Sequence, residues 1–235
     1  MTPAYRRALV PGLSTLLMLF VLLGLGTWQV YRLRWKEGVL AQIAAAEAAP
    51  PVPLAEYAAA NTPPPYTKVS ATGRFRFDCA AQFGAEVRDT SAGPTIGADQ
   101  LVPLERAGAA TILVDRGWIP QKRETPLDDP TGLVTVTGYV RPRETPHWFS
   151  PQDDEAARQF YTLDPEAIGS ATGLRDLAPF TLVALGLSMS DSYPAPRQHL
   201  PRPLNNHLSY VITWYGLAVA LVVIFGVWVR KALLS

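Results

Sequence analysis

The residues best suited to chemistry stand near the end of the chain, in Asn205-Asn206-His207-Leu208-Ser209-Tyr210, which runs directly into 22 uncharged residues, Leu208 to Val229. His207 is one of three histidines. An imidazole can hold a metal or a proton, and placing one at a membrane boundary is costly, so it points to function. Tyr210, Val211 and Trp214 follow at helical spacing and share its face. In the first apolar stretch, Trp28, Tyr31, Arg32 and Trp35 share a face in the same way. Two aromatic faces with one His and one Arg at the same depth make a candidate cofactor or partner site. The alternative is an aromatic belt of the kind interfaces favour, with His207 bonded to lipid headgroups or a backbone carbonyl. Spacing alone supports the two readings equally.

His207 is predicted to lie in the first turn of a helix capped by Asn205 or Asn206. The positive end of the helix dipole disfavours imidazolium, which keeps the ring neutral and able to bind a metal. Haem iron takes such a histidine as an axial ligand. Haem propionates need cations, and Arg32, Arg34 and Arg202 lie at the right depth to supply them. On the opposite side of the same helix, Ser209, Thr213, Gly216 and Ala220 form a narrow stripe of small residues, which permits close helix packing. The helix is thus predicted to serve two neighbours, as a scaffold or handover protein requires.

The remaining candidates are weaker. His147 reads as an exposed loop residue, and His199, in a proline-rich segment, as a secondary candidate for a second ligand. Cys79 is the only cysteine, and with Met18 and Met189 it makes no soft cluster of the kind copper(I) needs. It reads as a small buried apolar residue. There is no Gly-x-Ser-x-Gly elbow, phosphate loop or His-Glu-x-x-His site, so no enzyme is expected. A formal net charge of +1 argues against a nucleic-acid partner.

Two elements must position these residues. Leu9 to Val30, like Leu208 to Val229, is a run of 22 uncharged residues. At ~1.5 Å per residue each spans about 33 Å, against a hydrocarbon core of roughly 30 Å. Arg32, Arg34 and Lys36 follow the first run in place of a cleavage site, which marks an uncleaved anchor. The short segment ahead of it favours a bacterial inner-membrane protein over an imported mitochondrial one. Basic residues flank both ends of the two spans almost equally, so the positive-inside rule leaves the orientation open.

The first helix is predicted to continue to about residue 47, where Pro50-Pro51 ends it. Residues 49–65 and 193–204 read as stiff proline-rich connectors. Residues 66–192 between them read as a β-rich domain, with strands at 68–77, 81–88, 100–105, 111–119, 133–140 and 180–186. The first two are predicted to pair as a hairpin around Asp78-Cys79-Ala80, with Phe83 and Val87 facing inward. Short helices are expected at 155–158 and 165–168. The predicted fold class is a membrane protein in which two transmembrane α-helices flank a β-rich α+β extramembrane domain, an antiparallel sheet or partly closed barrel.

Five blocks carry a resemblance: GTWQVYRLRWK at 26–36, VSATGRF at 69–75, LVDRGWIP at 113–120, VTGYVR at 136–141 and NNHLSYVITWYGLA at 205–218. In this order, over nearly the whole chain, they resemble the surfeit locus protein 1 family, assembly factors of cytochrome c oxidase. The first and last blocks are the specific ones. The resemblance implies a bacterial inner-membrane protein with both termini cytoplasmic and the central domain periplasmic. It implies transient binding of haem a and help in placing it in oxidase subunit I. Haem a synthase and membrane lipid are the further partners expected. His207 matches the histidine associated with haem a in bacterial members, so it is the expected axial ligand of the haem iron, with Tyr210, Trp214, Trp28, Tyr31 and Arg32 around the group. The alternative is a membrane scaffold that stabilises a subunit I intermediate without binding haem. Gly73, Arg116, Gly117 and Trp118 also match family blocks, and strand-turn structure explains them equally well.

Overall fold

The computed structural model describes residues 3–57, 62–91, 93–122, 126–187 and 192–234; Met189 and residues 58–61 of the first connector therefore lie outside the described residues. The chain divides into two compact units, Met1–Gln42 with Arg202–Ser235, and Ile43–Pro201.

The first unit is built on two helices, most of α1 (Pro3–Ala48) and all of α3 (His207–Leu234). Both are long and apolar enough to cross a membrane. Most of their large apolar side chains are exposed, including Leu13, Leu17, Phe20, Ile212, Val219 and Ile224. That is the surface of a helix whose solvent is hydrocarbon. Hydroxyl groups along both helices bond backward within their own helix: Ser14 to the Val10 carbonyl at 2.9 Å, Thr27 to Leu23 at 2.8 Å, and Thr213 to Ser209 at 2.9 Å.

The second unit is a mixed eight-stranded sheet with one short helix. Its strands are β1 (Val52–Pro53), β2 (Lys68–Phe75), β3 (Ala81–Thr90), β4 (Gly93–Arg106), β5 (Ala109–Pro120), β6 (Val134–Pro142), β7 (Gln159–Phe160) and β8 (Leu177–Ala184). Their order is β1-β2-β6-β8-β5-β4-β3-β7, and β2 also pairs with β4 through Arg74↔Glu105 and Phe75↔Leu104. Strands β2, β6, β8, β5 and β4 therefore form a hydrogen-bonded circuit joined at a two-pair seam. The sheet is not wholly antiparallel as expected. β8 inserts between β5 and β6, antiparallel to β6 and parallel to β5. Periodicity marks where strands are; it carries no information on their order.

The expected hairpin between the first two strands is absent. The residues between them make a 3-10 turn, Phe77–Cys79, and the chain continues in the same direction. β2 and β3 lie end to end along one edge of β4: Phe75 opposes Leu104, and Ala81 opposes Leu101. β4 instead makes the hairpin with β3, closing at Thr90↔Gly93. A bulge between Phe83 and Glu86, with Gly84 at φ 68°, resets the alternation. Phe83 stays half-buried while Val87, predicted inward, is exposed.

β4 and β5 are buried on both faces, so the short apolar runs Leu101–Leu104 and Ile112–Val114 pack on both sides, and Asp99, Gln100, Asp115 and Arg116 beside them are buried as well. Ile112 and Val114 of β5 enter one core cluster with Val69, Leu104, Val140 and Leu182. Leu113, between them, enters another with Leu101, Phe160, Leu163 and Ile168. Ile168 comes from α2 (Pro165–Thr172), which is capped by Asp164 accepting from the Glu166 N–H at 3.0 Å and closed by Gly173 at φ 77°. Residues 155–158, expected to be helical, form a turn in which Arg158 adopts φ 53°.

Described residues of both proline-rich segments pack within this unit. Leu54 is in the first core cluster, and Val52 pairs with Val69. Leu200 is buried, Ala195 bridges Trp118, and Arg197 donates to Asp99 Oδ2 at 2.6 Å. Cys79 is buried, as expected.

Asp115, fully buried in β5, accepts the Gly117 N–H at 2.9 Å. Burial first, and the neighbouring Asp99 carboxylate second, push its carboxyl up from 3.8 to about 7. The folded state therefore holds this proton more tightly than the unfolded chain between these values. The stability that results is fully present below pH 3.8 and is lost as pH rises through about 7. Asp115→Asn keeps an acceptor for Gly117 and removes the charge. It should raise the melting temperature of the full chain in detergent at pH 8 and leave it almost unchanged at pH 4, by up to about 4 kcal/mol of stability. Differential scanning fluorimetry across this range checks it; equal shifts at both pH values would contradict the assignment.

Candidate functional site

The inner seam of α1 carries Thr15, Leu19, Leu22, Gly26, Gln29 and Leu33, each half-buried or buried on a largely exposed helix. That of α3 carries His207, Val211, Trp214, Ala218, Leu221 and Phe225. Both series step by alternate fours and threes, the spacing of a coiled-coil seam. Gly26 permits the contact: a Cβ there would stand 2.9 Å from the Tyr215 ring. The Tyr215 hydroxyl lies 3.1 Å from Thr27 Oγ1.

The candidate site is at the other polar rung of this seam. His207 opens α3 and is half-buried; its N–H lies 3.4 Å from the Asn205 side-chain oxygen, a long cap contact. Its Nδ1 lies 2.7 Å from Gln29 Oε1. Among the described residues, no hydrogen bond engages Nε2. A ring held at one nitrogen with the other available is the arrangement of a metal-ligating histidine. No three His, Cys, Asp or Glu side chains converge among the described residues. The donor set therefore fits a metal whose other ligands arrive with it, as a porphyrin's do.

Sequence reasoning singled out His207 and missed Gln29. Gln29 is 8% exposed, and it is the only amide side chain in the uncharged run Leu9 to Val30. That was its signal: an amide within hydrocarbon must find a polar partner. Trp214 shares the seam with His207 and is half-buried. Tyr210 is exposed. Trp28, Tyr31 and Arg32 lie on the outward side of α1, exposed, with the Arg32 guanidinium 4.6 Å from the Trp35 ring centre. The structure thus joins His207 to α1 through Gln29, one residue along from Trp28 of the aromatic face that was expected to share a cofactor or partner site with it.

The other candidates are placed as follows. His147 is exposed and stacks on Phe149. His199 Nδ1 lies 3.0 Å from Glu47 Oε1 within the sheet unit. Arg116 is buried, donating to Gln100 Oε1 at 3.1 Å and Asp129 Oδ1 at 2.9 Å, so it serves the domain's interior. Gly117, at φ 114°, lies where a Cβ would stand 2.1 Å from the Ala195 carbonyl oxygen. Trp118 is 2% exposed and donates Nε1–H to the Glu86 carbonyl at 3.2 Å. The LVDRGWIP block is therefore structural. The small-residue stripe Ser209, Thr213, Gly216 and Ala220 is exposed, and nothing lies within 4 Å of a Cβ at Gly216.

Comparison with known proteins gives one consistent result. The model of the SURF1 family matches residues 16–219. The chain is 30% identical over 214 residues to Surfeit locus protein 1 of Takifugu rubripes, covering 84% of this chain and 88% of that protein. It is 30% identical to the human protein of the same name, over 84% of this chain and 70% of that protein. A SURF1-like protein of Rickettsia conorii is 29% identical over 90% of this chain and 88% of its own length.

The two glycines make opposite predictions. Gly26→Ile should displace Tyr215, break its bond with Thr27 and loosen the seam, lowering the thermal stability of the helix pair by about 1–3 kcal/mol. Gly216→Ile should leave that stability unchanged. Disulfide trapping of cysteines introduced at Leu22 and Ala218 reports the seam: reduced trapping in Gly26→Ile and wild-type trapping in Gly216→Ile are expected.

Proposed function

The chain belongs to the SURF1 family, and from that premise we propose that it is a cytochrome c oxidase assembly factor that holds haem a at His207 and helps place it in subunit I. Surfeit locus 1 proteins are known as oxidase assembly factors rather than catalysts. The observation that carries the haem reading is His207 itself: a half-buried ring at the start of an apolar helix, with Nδ1 bonded and Nε2 available. Haem, when bound, supplies an iron that needs an axial nitrogen and a macrocycle that needs apolar cover. His207 Nε2 provides the nitrogen. Trp214 and Tyr210 lie along the same helix to provide cover. Arg32, Arg34 and Arg202 are the cations proposed for the propionates, each contact worth about 1.5–3 kcal/mol when desolvated. A single protein ligand suits a holder that must let go.

The reading includes a location. Two helices that cross the membrane once each place both termini on one side; the proposed arrangement is cytoplasmic termini and a periplasmic sheet domain in the bacterial inner membrane. Haem a synthase as donor, subunit I as recipient and membrane lipid around the helices are the proposed partners. A second reading, a scaffold for a subunit I intermediate, is favoured by one observation: the exposed stripe at Ser209, Thr213, Gly216 and Ala220, which α1 leaves uncovered.

His207→Ala should remove or strongly reduce bound haem a while the protein still inserts, because it deletes a ligand and no apolar span. Oxidase assembly should fall without vanishing. Absorbance of the detergent-purified protein checks this, with His147→Ala as the control. An unchanged Soret band in His207→Ala would defeat the ligand assignment and favour the scaffold. For topology, alkaline phosphatase fused within the sheet domain at residue 95 should be active and the same enzyme after Ser235 inactive. The reverse pattern would overturn the proposed orientation.

A further inference from the structure

We propose that Gln29 is the positioning residue of this site, whose side-chain carbonyl fixes the proton of His207 on Nδ1 and so presents Nε2 as the ligand atom. The inference rests on the haem reading above and adds to it the residue that decides which ring nitrogen is offered. A neutral imidazole carries one proton, and the nitrogen that keeps it cannot bind a metal. Gln29 Oε1 has no proton to give, so its 2.7 Å contact with Nδ1 is a hydrogen bond only if the ring donates. The lone pair is then on Nε2. Metal-ligating histidines are fixed in this way, by a carboxylate, carbonyl or water at the second nitrogen.

The choice of an amide follows from the surroundings. Gln29 is 8% exposed on a helix apolar enough to cross a membrane, and a carboxylate at this position would have to be desolvated. An amide carbonyl costs less to bury and is a weaker acceptor than a carboxylate, which leaves the imidazole a less basic ligand. For a protein that binds a group only to pass it on, a moderate ligand is an advantage. Gln29 also fixes the ring to α1, so the ligand's direction depends on both helices. The neighbouring Thr27–Tyr215 contact, at 3.1 Å, holds the seam independently of it.

The test has two arms, both on the full-length chain in detergent. In the first, without haem, nitrogen-15 NMR of ring-labelled histidine reads the tautomer of His207. The wild type should show the proton on Nδ1, and Gln29→Leu should lose that preference; Gln29→Glu should keep it. A wild-type proton on Nε2, which an amide turned end for end would give, or a tautomer unchanged in Gln29→Leu, would overturn the proposal. In the second arm, haem a is titrated into the wild type, Gln29→Leu, Gln29→Glu and His207→Ala. Gln29→Leu should bind about 10–100-fold more weakly than wild type. The iron–histidine stretch of the ferrous complex should rise in Gln29→Glu and fall in Gln29→Leu. Equal affinity and an equal stretch across the Gln29 series, with His207→Ala still defective, would overturn the role of Gln29 and leave His207 as the ligand. Equal uptake by wild type and His207→Ala would defeat the haem reading itself, and the tautomer arm would still decide whether Gln29 sets the ring.

Discussion

Polar side chains on helices that face hydrocarbon have to satisfy one another, because no solvent is there to do it. On α1 and α3 that constraint decides the pairing of the helices. Hydroxyls turn back to their own backbone, and the polar groups that remain on the seam meet in rungs, Gln29 with His207 and Thr27 with Tyr215. Beside the Thr27–Tyr215 rung, Gly26 leaves room for the Tyr215 ring. The register of the seam is therefore tied to two polar contacts. A slip by one turn would strand an amide and an imidazole in an apolar setting, at a cost of several kcal/mol.

The sheet unit is organised by a different constraint. β4 and β5 are buried on both faces, so each must be covered twice. The curl of the sheet through the β2–β4 seam covers one side, and α2 with its flanking residues covers the other. Both proline-rich segments add to this core, through Leu54 at one end and Leu200 at the other. The charged side chains within it are arranged so that most are paired. Arg197 faces Asp99, Arg116 faces Asp129, and Asp115 holds its proton against burial.

These two units divide the family blocks between them. The glycine and tryptophan of LVDRGWIP answer to backbone geometry and core packing. The first and last blocks, around Gln29 and His207, answer to one hydrogen bond between two helices.

The sequence by itself determined the two apolar helices, the β-rich character of the middle, most strand positions, and His207 at a helix start. These are local properties, carried by runs and periods within one segment. It did not determine which segments meet. Strand order, the parallel pairing of β5 with β8, and the collinear run of β2 and β3 along β4 depend on long-range pairing that a period of two leaves open. The same holds at the candidate site. Helical spacing placed Trp28, Tyr31 and Arg32 on one face of α1, and the tertiary structure turned the neighbouring face, with Gln29, toward His207. An amide in an apolar run shows that a polar partner must exist; only the packing of the second helix decides that the partner is His207.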